Sequence, residues 1–284
     1  MSEAHHHKRS LGVRDMTLFT VSAILLLDTL AASASIGVSS ITWWVLLAVL
    51  FFIPYGLISA ELGTTYPEQG GIYAWVRDAF GTRWGTRVTW LYWLNTAIWN
   101  GAILVLFAGV FAQIFMPGLG LGAKLAIAIG LNWLVVLITT FSLNVGKWVP
   151  NVGAAIKVIA FAALVAGGIA FAMRDNVQLA NDFSLWSFVP EWGASATYIS
   201  TIIYGMLGFE LVCSASEEMK DPVRDVPRAI FWSGIIIFLA YVLGTFAILA
   251  VVPVENIDLV EGLVDTFRQL FGESALGVTA ALVL

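Results

Sequence analysis

The sequence predicts an all-α integral membrane protein, and two observations carry that prediction. Of the 284 residues, 59% are hydrophobic and 12% are charged, whereas an ordinary soluble domain is about 45–50% apolar and about 25% charged. The apolar residues also form long runs, and a run of about 20 residues is enough for a helix to cross the bilayer. A membrane barrel would instead show strands of about ten residues with alternating polarity.

Seven apolar runs predict membrane-spanning helices: residues 16–36, 41–62, 88–115, 125–143, 152–173, 193–216 and 229–252. A helical spacing of apolar residues from Ile72 to Phe80 predicts a short helix on the membrane surface, and residues 259–271 are amphipathic. Residues 275–284 are apolar but number only ten, about half of a span. We therefore expect a truncated chain of about seven and a half spans, forming one transmembrane domain over residues 1–284.

Basic residues predict the orientation, because cytoplasmic loops carry an excess of Lys and Arg. If the N-terminus is cytoplasmic, the inner segments carry ten such residues and the outer segments three. The inner set is Lys8, Arg9, Arg14, Arg77, Arg83, Arg87, Lys147, Lys220, Arg224 and Arg228. We expect a multi-pass plasma membrane protein whose residues 1–12 form a disordered cytoplasmic tail.

The sixth span contains the stretch YGMLGFE at residues 204–210, which a membrane helix should avoid. Gly205 and Gly208 each weaken a helix by roughly 1 kcal/mol relative to alanine. Glu210 adds a carboxylate that costs about 2.5–3.5 kcal/mol at the bilayer centre when ionised. The first span is also interrupted, at Asp28-Thr29. Interruptions at corresponding positions of two halves are typical of a transporter binding site.

A broken helix can bind a small zwitterion. Each new helix end leaves up to four N–H or C=O groups without an intrahelical partner. Freed amides favour a carboxylate, and freed carbonyls favour an ammonium group. We therefore expect an amino acid or related amine as substrate, with binding residues Asp28, Thr29, Leu30, Ala31, Ile203, Tyr204, Gly205 and Gly208 at the two interruptions. No cofactor or metal site is expected.

Three motifs resemble those of the amino acid–polyamine–organocation permeases. They are residues 205–210 with the basic loop 216–230, AEL at 60–62 with YPEQGGIYAWV at 66–76, and LYWL at 91–94 followed by Asn100. The resemblance implies a five-plus-five inverted-repeat bundle of the leucine-transporter type, with helices 1 and 6 broken and twelve helices in a complete member. It implies secondary active transport by alternating access, either coupled to protons or working by exchange.

One part of the first span departs from that family. Typical members carry a G-S-G-like break there, whereas residues 27–32 read LDTLAA. This pattern is similar to the glutamate/γ-aminobutyrate antiporter branch, which also lacks the glycine pair.

Several residues have two interpretations. Glu210 is either a site carboxylate or a scaffold residue that ties the broken helix to its neighbours. Tyr204 is either the aromatic gate that the resemblance implies or part of a helix interface. Asp28 is either a substrate or proton group or a helix cap, and Asn100 faces either substrate or a neighbouring helix.

Lys157 lies about five residues inside the fifth span. The resemblance implies that its ammonium replaces a sodium ion against the first-helix carbonyls, so that proton loss couples transport. The alternative is a lysine that extends to the cytoplasmic surface along its aliphatic stem.

Other classes of function fit less well. An intramembrane enzyme lacks a nucleophile–base constellation, and the net charge of −5 argues against nucleic acid. A channel or a non-transporting sensor or assembly subunit remains the alternative, since broken helices also line pores. Substrate, protons and membrane lipids are the expected partners, and the sequence leaves the oligomeric state open.

Overall fold

The structure is a computed structural model that describes residues 11–66, 68, 70–141, 143–175, 177–190, 192–214, 219–257 and 262–272. Some of these residues are described by backbone alone, Asp28 among them. Residues 1–10 of the predicted tail, the loop residues Glu217 and Glu218, and the last apolar run at 275–284 lie outside the described residues.

The described chain is helical, with one isolated bridge between Leu11 and Met219. Its helices are α1 (Val13–Ile24), α2 (Leu27–Ala34), α3 (Ser39–Leu47), α4 (Ile53–Thr65), α5 (Ile72–Phe80), α6 (Thr82–Phe115), α7 (Leu121–Phe141), α8 (Leu143–Ala172), α9 (Trp192–Gly205), α10 (Glu210–Ser214), α11 (Pro222–Val251) and α12 (Gly262–Phe271).

Five helical stretches of the described chain are long and apolar enough to cross a membrane. They are Ser39–Thr65, Thr82–Phe115, Leu121–Ile138, Ala155–Ala172 and Pro222–Val251. They correspond to predicted spans 2, 3, 4, 5 and 7. Predicted spans 1 and 6 are each divided into two shorter helices, α1 with α2 and α9 with α10.

Helix α11 lies at the centre of the bundle and packs against α1, α2, α3, α4 and α8. Asp221 caps its start by accepting a hydrogen bond from the Arg224 amide at 3.4 Å, and Pro222 occupies the first turn, where its missing N–H is not needed. The C-terminal end of α11, from Ala247 to Val251, and the following Val252 are buried throughout. Around this centre, α5 packs on α6, α6 on α7, and α7 on α8.

The second span contains a π-helical turn, Ala48–Phe52, between α3 and α4. Pro54 is the second residue after this turn. Because proline donates no backbone hydrogen bond and its ring crowds the carbonyl four residues earlier, the wider turn accommodates it without ending the helix. The next residue is Tyr55, which reaches the sixth span.

Two sequence expectations change. Residues 144–151, expected as a connection, continue α8 as helix. The first-span interruption lies at Leu25 and Leu26, not at Asp28-Thr29, which form part of the first turn of α2. The predicted surface helix and the amphipathic segment are confirmed as helices, α5 and α12.

Candidate substrate site at the two helix breaks

The first break is a short extended segment. Helix α1 ends at Ile24, and Leu25 and Leu26 have φ/ψ values of −74°/102° and −113°/126° before α2 begins. These are ordinary extended conformations that any residue adopts. The break therefore needs no glycine, which is why the missing G-S-G pattern does not prevent it.

Tyr241 of α11 bridges this break. Its hydroxyl accepts a hydrogen bond from the Leu26 amide at 2.9 Å and donates one to the Ile24 carbonyl at 2.7 Å. The ring is fully buried and stacks on Trp44 with 4.3 Å between centroids. One side chain thus satisfies a freed donor and a freed acceptor, which would otherwise each cost about 1–3 kcal/mol.

Lys157 contacts the same segment from α8. Its ammonium donates a hydrogen bond to the Ser22 carbonyl at 2.7 Å, in the last turn of α1. A carbonyl at the C-terminal end of a helix carries partial negative charge and attracts a cation. The side chain is therefore directed at the first-span backbone, and its part in proton coupling stays a prediction.

The second break lies where the glycines of the sixth span predicted it. Helix α9 ends at Gly205, Gly208 has φ +133°, and α10 begins at Glu210. The last carbonyls of α9 each accept one backbone hydrogen bond. The Ile203 carbonyl accepts it from the Met206 amide at 3.0 Å, and the Tyr204 carbonyl accepts it from the Leu207 amide at 3.1 Å. Each carbonyl oxygen has a second lone pair for another donor.

Tyr55 of α4 bridges the second break. Its hydroxyl accepts a hydrogen bond from the Gly208 amide at 3.0 Å and donates to the Glu210 carboxylate. The other carboxylate oxygen accepts from the Tyr92 hydroxyl of α6 at 3.0 Å. Glu210 therefore ties α10 to the second and third spans, which is the contact pattern that the scaffold interpretation requires.

The two breaks also touch each other through these glycines. A Cβ atom at Gly205 would lie 2.6 Å from the Thr29 methyl group, and one at Gly208 would lie 2.6 Å from Ile24 Cγ1. Both distances are below van der Waals contact. The glycines thus interrupt the sixth span and also let its backbone approach the first span closely.

A cavity of about 270 Å³ opens between α2, α6 and α9. Its lining residues are Thr29, Ala32, Trp99, Ala102, Ile103, Leu106, Thr201 and Tyr204. Two residues predicted for substrate binding, Thr29 and Tyr204, face it together. The lining is mostly apolar with a few hydroxyl groups, as is typical of small-molecule sites.

Other predicted residues lie elsewhere. Leu30 and Ala31 are buried, and Leu30 packs against Gly244 of α11. Their side chains therefore belong to the helix interface. Asn100 is exposed on α6 and is not part of the cavity lining, whereas its neighbour Trp99 is. The side chain of Asp28 lies outside the described residues.

A second, smaller cavity of about 90 Å³ adjoins Glu210 and shares no lining residue with the first. It is formed by the loop at Gly70 and Gly71, by Tyr92 of α6 and by Ser214 of α10, among others. The Glu210 carboxylate faces this space and not the 270 Å³ cavity.

Residues 11–284 match the amino acid permease family. The chain belongs to that family. It is 35% identical over 266 residues to a probable agmatine/putrescine antiporter, AguD, of Lactococcus lactis, covering 93% of this chain and 57% of the relative. It is 32% identical over 272 residues to an uncharacterized transporter of Legionella pneumophila, covering 94% and 58%.

A third relative is the polyamine transporter PUT1 of Oryza sativa, 29% identical over 235 residues that cover 82% of this chain and 42% of that protein. The chain thus spans about half the length of the curated relatives it matches. Family membership and the five apolar helical stretches together make the chain a multi-pass membrane protein. The narrower assignment to the glutamate/γ-aminobutyrate branch stays a prediction.

Tyr55 and Tyr241 are not among the residues predicted from the sequence, although a signal is present. Both are hydroxyl-bearing residues inside apolar spans, and a buried tyrosine hydroxyl usually has a hydrogen-bond partner. Broken helices in the same bundle supply such partners. Thr201 gave a weaker signal, since threonine in a membrane helix often bonds to its own backbone.

Proposed function

We propose that the protein is the transport domain of a secondary transporter that exchanges amino acids or related amines by alternating access, or couples their movement to protons. The observation that carries the proposal is the meeting of two helix breaks beside a cavity of about 270 Å³. The names of relatives, which include an agmatine/putrescine antiporter and an aspartate/glutamate permease, support substrates that carry amino or carboxylate groups.

The two helix ends at the cavity supply opposite partial charges. The first amides of α2, at Leu27 to Thr29, form the positive end of a helix dipole and suit a carboxylate. The carbonyls of Ile203 and Tyr204 end α9 and suit an amino group. Thr29 and Tyr204 line the cavity from these two ends, so a ligand there spans both.

The paired tyrosines support an inverted repeat of five plus five spans. Tyr55 of the second span bridges the break of the sixth, and Tyr241 of the seventh span bridges the break of the first. If spans 6 and 7 repeat spans 1 and 2, these two contacts are equivalent. The excess of Lys and Arg in the inner segments supports an orientation with the N-terminus in the cytoplasm.

The direct test is transport by the full-length protein in proteoliposomes. Radiolabelled agmatine, putrescine, arginine, glutamate and leucine are each offered against unlabelled internal substrate. We expect saturable uptake that is accelerated by internal substrate for at least one of them. Flux that rises linearly with concentration would favour a channel, and no uptake or exchange across the panel would contradict the proposal.

Lys157 is proposed to couple proton movement, and two substitutions separate its charge from its proton. In Lys157→Ala, we expect pH-driven uptake to fall while exchange persists, because exchange needs no net proton movement. Lys157→Arg keeps a cation for the Ser22 carbonyl but cannot release a proton, so it should also lose pH-driven uptake. Lys124→Ala is the control. Proton coupling that survives in both Lys157 variants would remove the residue from the mechanism.

A further inference from the structure

The start of α6 carries a basic groove that the transport site does not use. The groove has a volume of about 700 Å³ and is lined by Arg83, Thr86, Arg87, Trp90 and Leu91. It is far along the helix from Trp99 to Leu106, which line the proposed substrate cavity.

The groove faces away from the packed side of α6. Gly85 marks that packed side, since a Cβ there would lie 3.1 Å from Arg77 Cβ and 3.2 Å from the Tyr73 ring. At about 100° per residue, Arg83, Arg87, Trp90 and Leu91 lie about 140–240° around the helix from Gly85. The four side chains therefore share the opposite face.

The charge of the groove is not neutralised by the described part of the chain. Arg77, on neighbouring α5, pairs with Glu68 at 2.8 Å and Asp78 at 2.7 Å, and its guanidinium lowers the pKa of Asp78. By contrast, neither Arg83 nor Arg87 forms a salt bridge with a described residue. Arg87 instead lies over the Trp84 ring at 5.0 Å.

The groove changes from basic to apolar along its length. Trp90 and Leu91 are 61% and 63% exposed. From Arg83 to Leu91 the helix rises about 12 Å, while each polar layer of a bilayer is about 5–7 Å thick. Helix α6 has 34 residues, or about 51 Å, so its ends reach the polar layers. Guanidinium groups at headgroup depth and apolar groups at acyl depth match a phospholipid.

We propose that this groove binds an anionic phospholipid, with the phosphate at Arg83 and Arg87 and an acyl chain along Trp90 and Leu91. Basic pockets at the cytoplasmic ends of membrane helices are suited to such headgroups, and aromatic residues favour the interface. The lipid would fix the start of α6, and with it α5, at the membrane surface.

The test measures lipid binding to the purified full-length protein by native mass spectrometry, with phosphatidylglycerol and phosphatidylcholine as probes. In Arg83→Gln/Arg87→Gln we expect phosphatidylglycerol affinity to fall about 10- to 30-fold, the effect of removing two basic groups near an anionic surface. Arg224→Gln/Arg228→Gln removes the same charge at the same spacing from exposed positions of α11, and should retain the affinity.

Three controls separate loss of lipid binding from misfolding and from binding of the headgroup alone. Arg83→Lys/Arg87→Lys should retain most of the binding, which excludes misfolding as the cause, and added salt should weaken binding to the wild type. Soluble glycerophosphoglycerol should not compete, since it lacks acyl chains. Equal affinity for both lipids, equal losses in the two glutamine variants, or competition by the soluble headgroup would overturn the proposal.

Discussion

The two helix breaks solve the same physical problem in different ways. Both expose backbone groups in a bundle where water is scarce, and both are bridged by a tyrosine hydroxyl, Tyr241 in the first and Tyr55 in the second. The first break has ordinary extended leucines, whereas the second contains Gly208 at φ +133°. The residues of the second break therefore account for its conformation. We expect the conformation of the first break to depend on side chains from α8 and α11.

This difference predicts how each break fails. A backbone conformation that only glycine adopts easily is lost through substitution in the break itself. A break held by partners is lost through substitution in those distant partners, because the freed backbone groups then remain unsatisfied. The following substitutions test this distinction from the largest expected effect to the smallest.

Gly208→Ala should have the largest effect. The added Cβ is strained at φ +133° and would lie 2.6 Å from Ile24 Cγ1, so we expect a loss of about 2–6 kcal/mol. Gly101→Ala is the matched control, since a Cβ there meets nothing within 4 Å and alanine favours a helix. The melting temperatures of the two variants are compared in the full-length protein in detergent, with tryptophan fluorescence as the probe of unfolding. Equal melting temperatures would contradict the glycine requirement.

Tyr241→Phe should have the second-largest effect on stability. It leaves the Leu26 amide and the Ile24 carbonyl without the hydroxyl that joins them, at a cost of about 2–5 kcal/mol. Tyr66→Phe, which removes a hydroxyl from an exposed ring, is the control in the same unfolding assay. If Tyr241→Phe unfolds at the temperature of that control, the first break does not depend on its partner.

Tyr55→Phe should cost less, about 1–3 kcal/mol. The Gly208 amide loses its acceptor, but Glu210 keeps the bond from Tyr92 and faces a cavity of about 90 Å³, which has room for water. The comparison is made with Tyr241→Phe under identical conditions. A larger loss in Tyr55→Phe would reverse the distinction between the two breaks.

The smallest effect on stability is expected in a loop outside both breaks, at Asp182. Asp182 accepts hydrogen bonds from the Ser184 amide at 2.9 Å and the Ser184 hydroxyl at 2.7 Å, which lower its pKa. A lowered pKa stabilises the fold above the unfolded-state value, and this contribution is lost as pH falls through the folded value. Asp182→Asn should therefore match the wild type in melting temperature at strongly acidic pH and differ slightly at neutral pH. A difference that grows on acidification would contradict this sign.

The same contrast explains what could be predicted from the sequence. Gly205 and Gly208 placed the second break correctly because its cause is local. The sequence predicts the first break three residues late, at Asp28-Thr29, because polar residues are the only local signal in that span. The side chains that hydrogen-bond to the backbone here, Tyr241 and Lys157, lie more than 130 residues away along the chain, so no local pattern marks the break. Leu30 and Ala31 are predicted to bind substrate through backbone amides, which stays a prediction, while their side chains pack in the helix interface.

The central claim is that substrate occupies the cavity between the two breaks, and protection of a cysteine at Thr201 tests it most directly. Cys213 is replaced, together with any other cysteine of the full-length protein, and Thr201→Cys is compared with Ile98→Cys, an exposed α6 position outside the cavity lining.

Alkylation by a membrane-impermeant thiol reagent is followed in proteoliposomes with increasing concentrations of a transported substrate. We expect substrate to slow labelling at position 201 at least fivefold, half-maximally at the concentration that half-saturates transport, and to leave position 98 unchanged. Equal labelling rates at position 201 with and without substrate, in a variant that still transports, would place the substrate elsewhere.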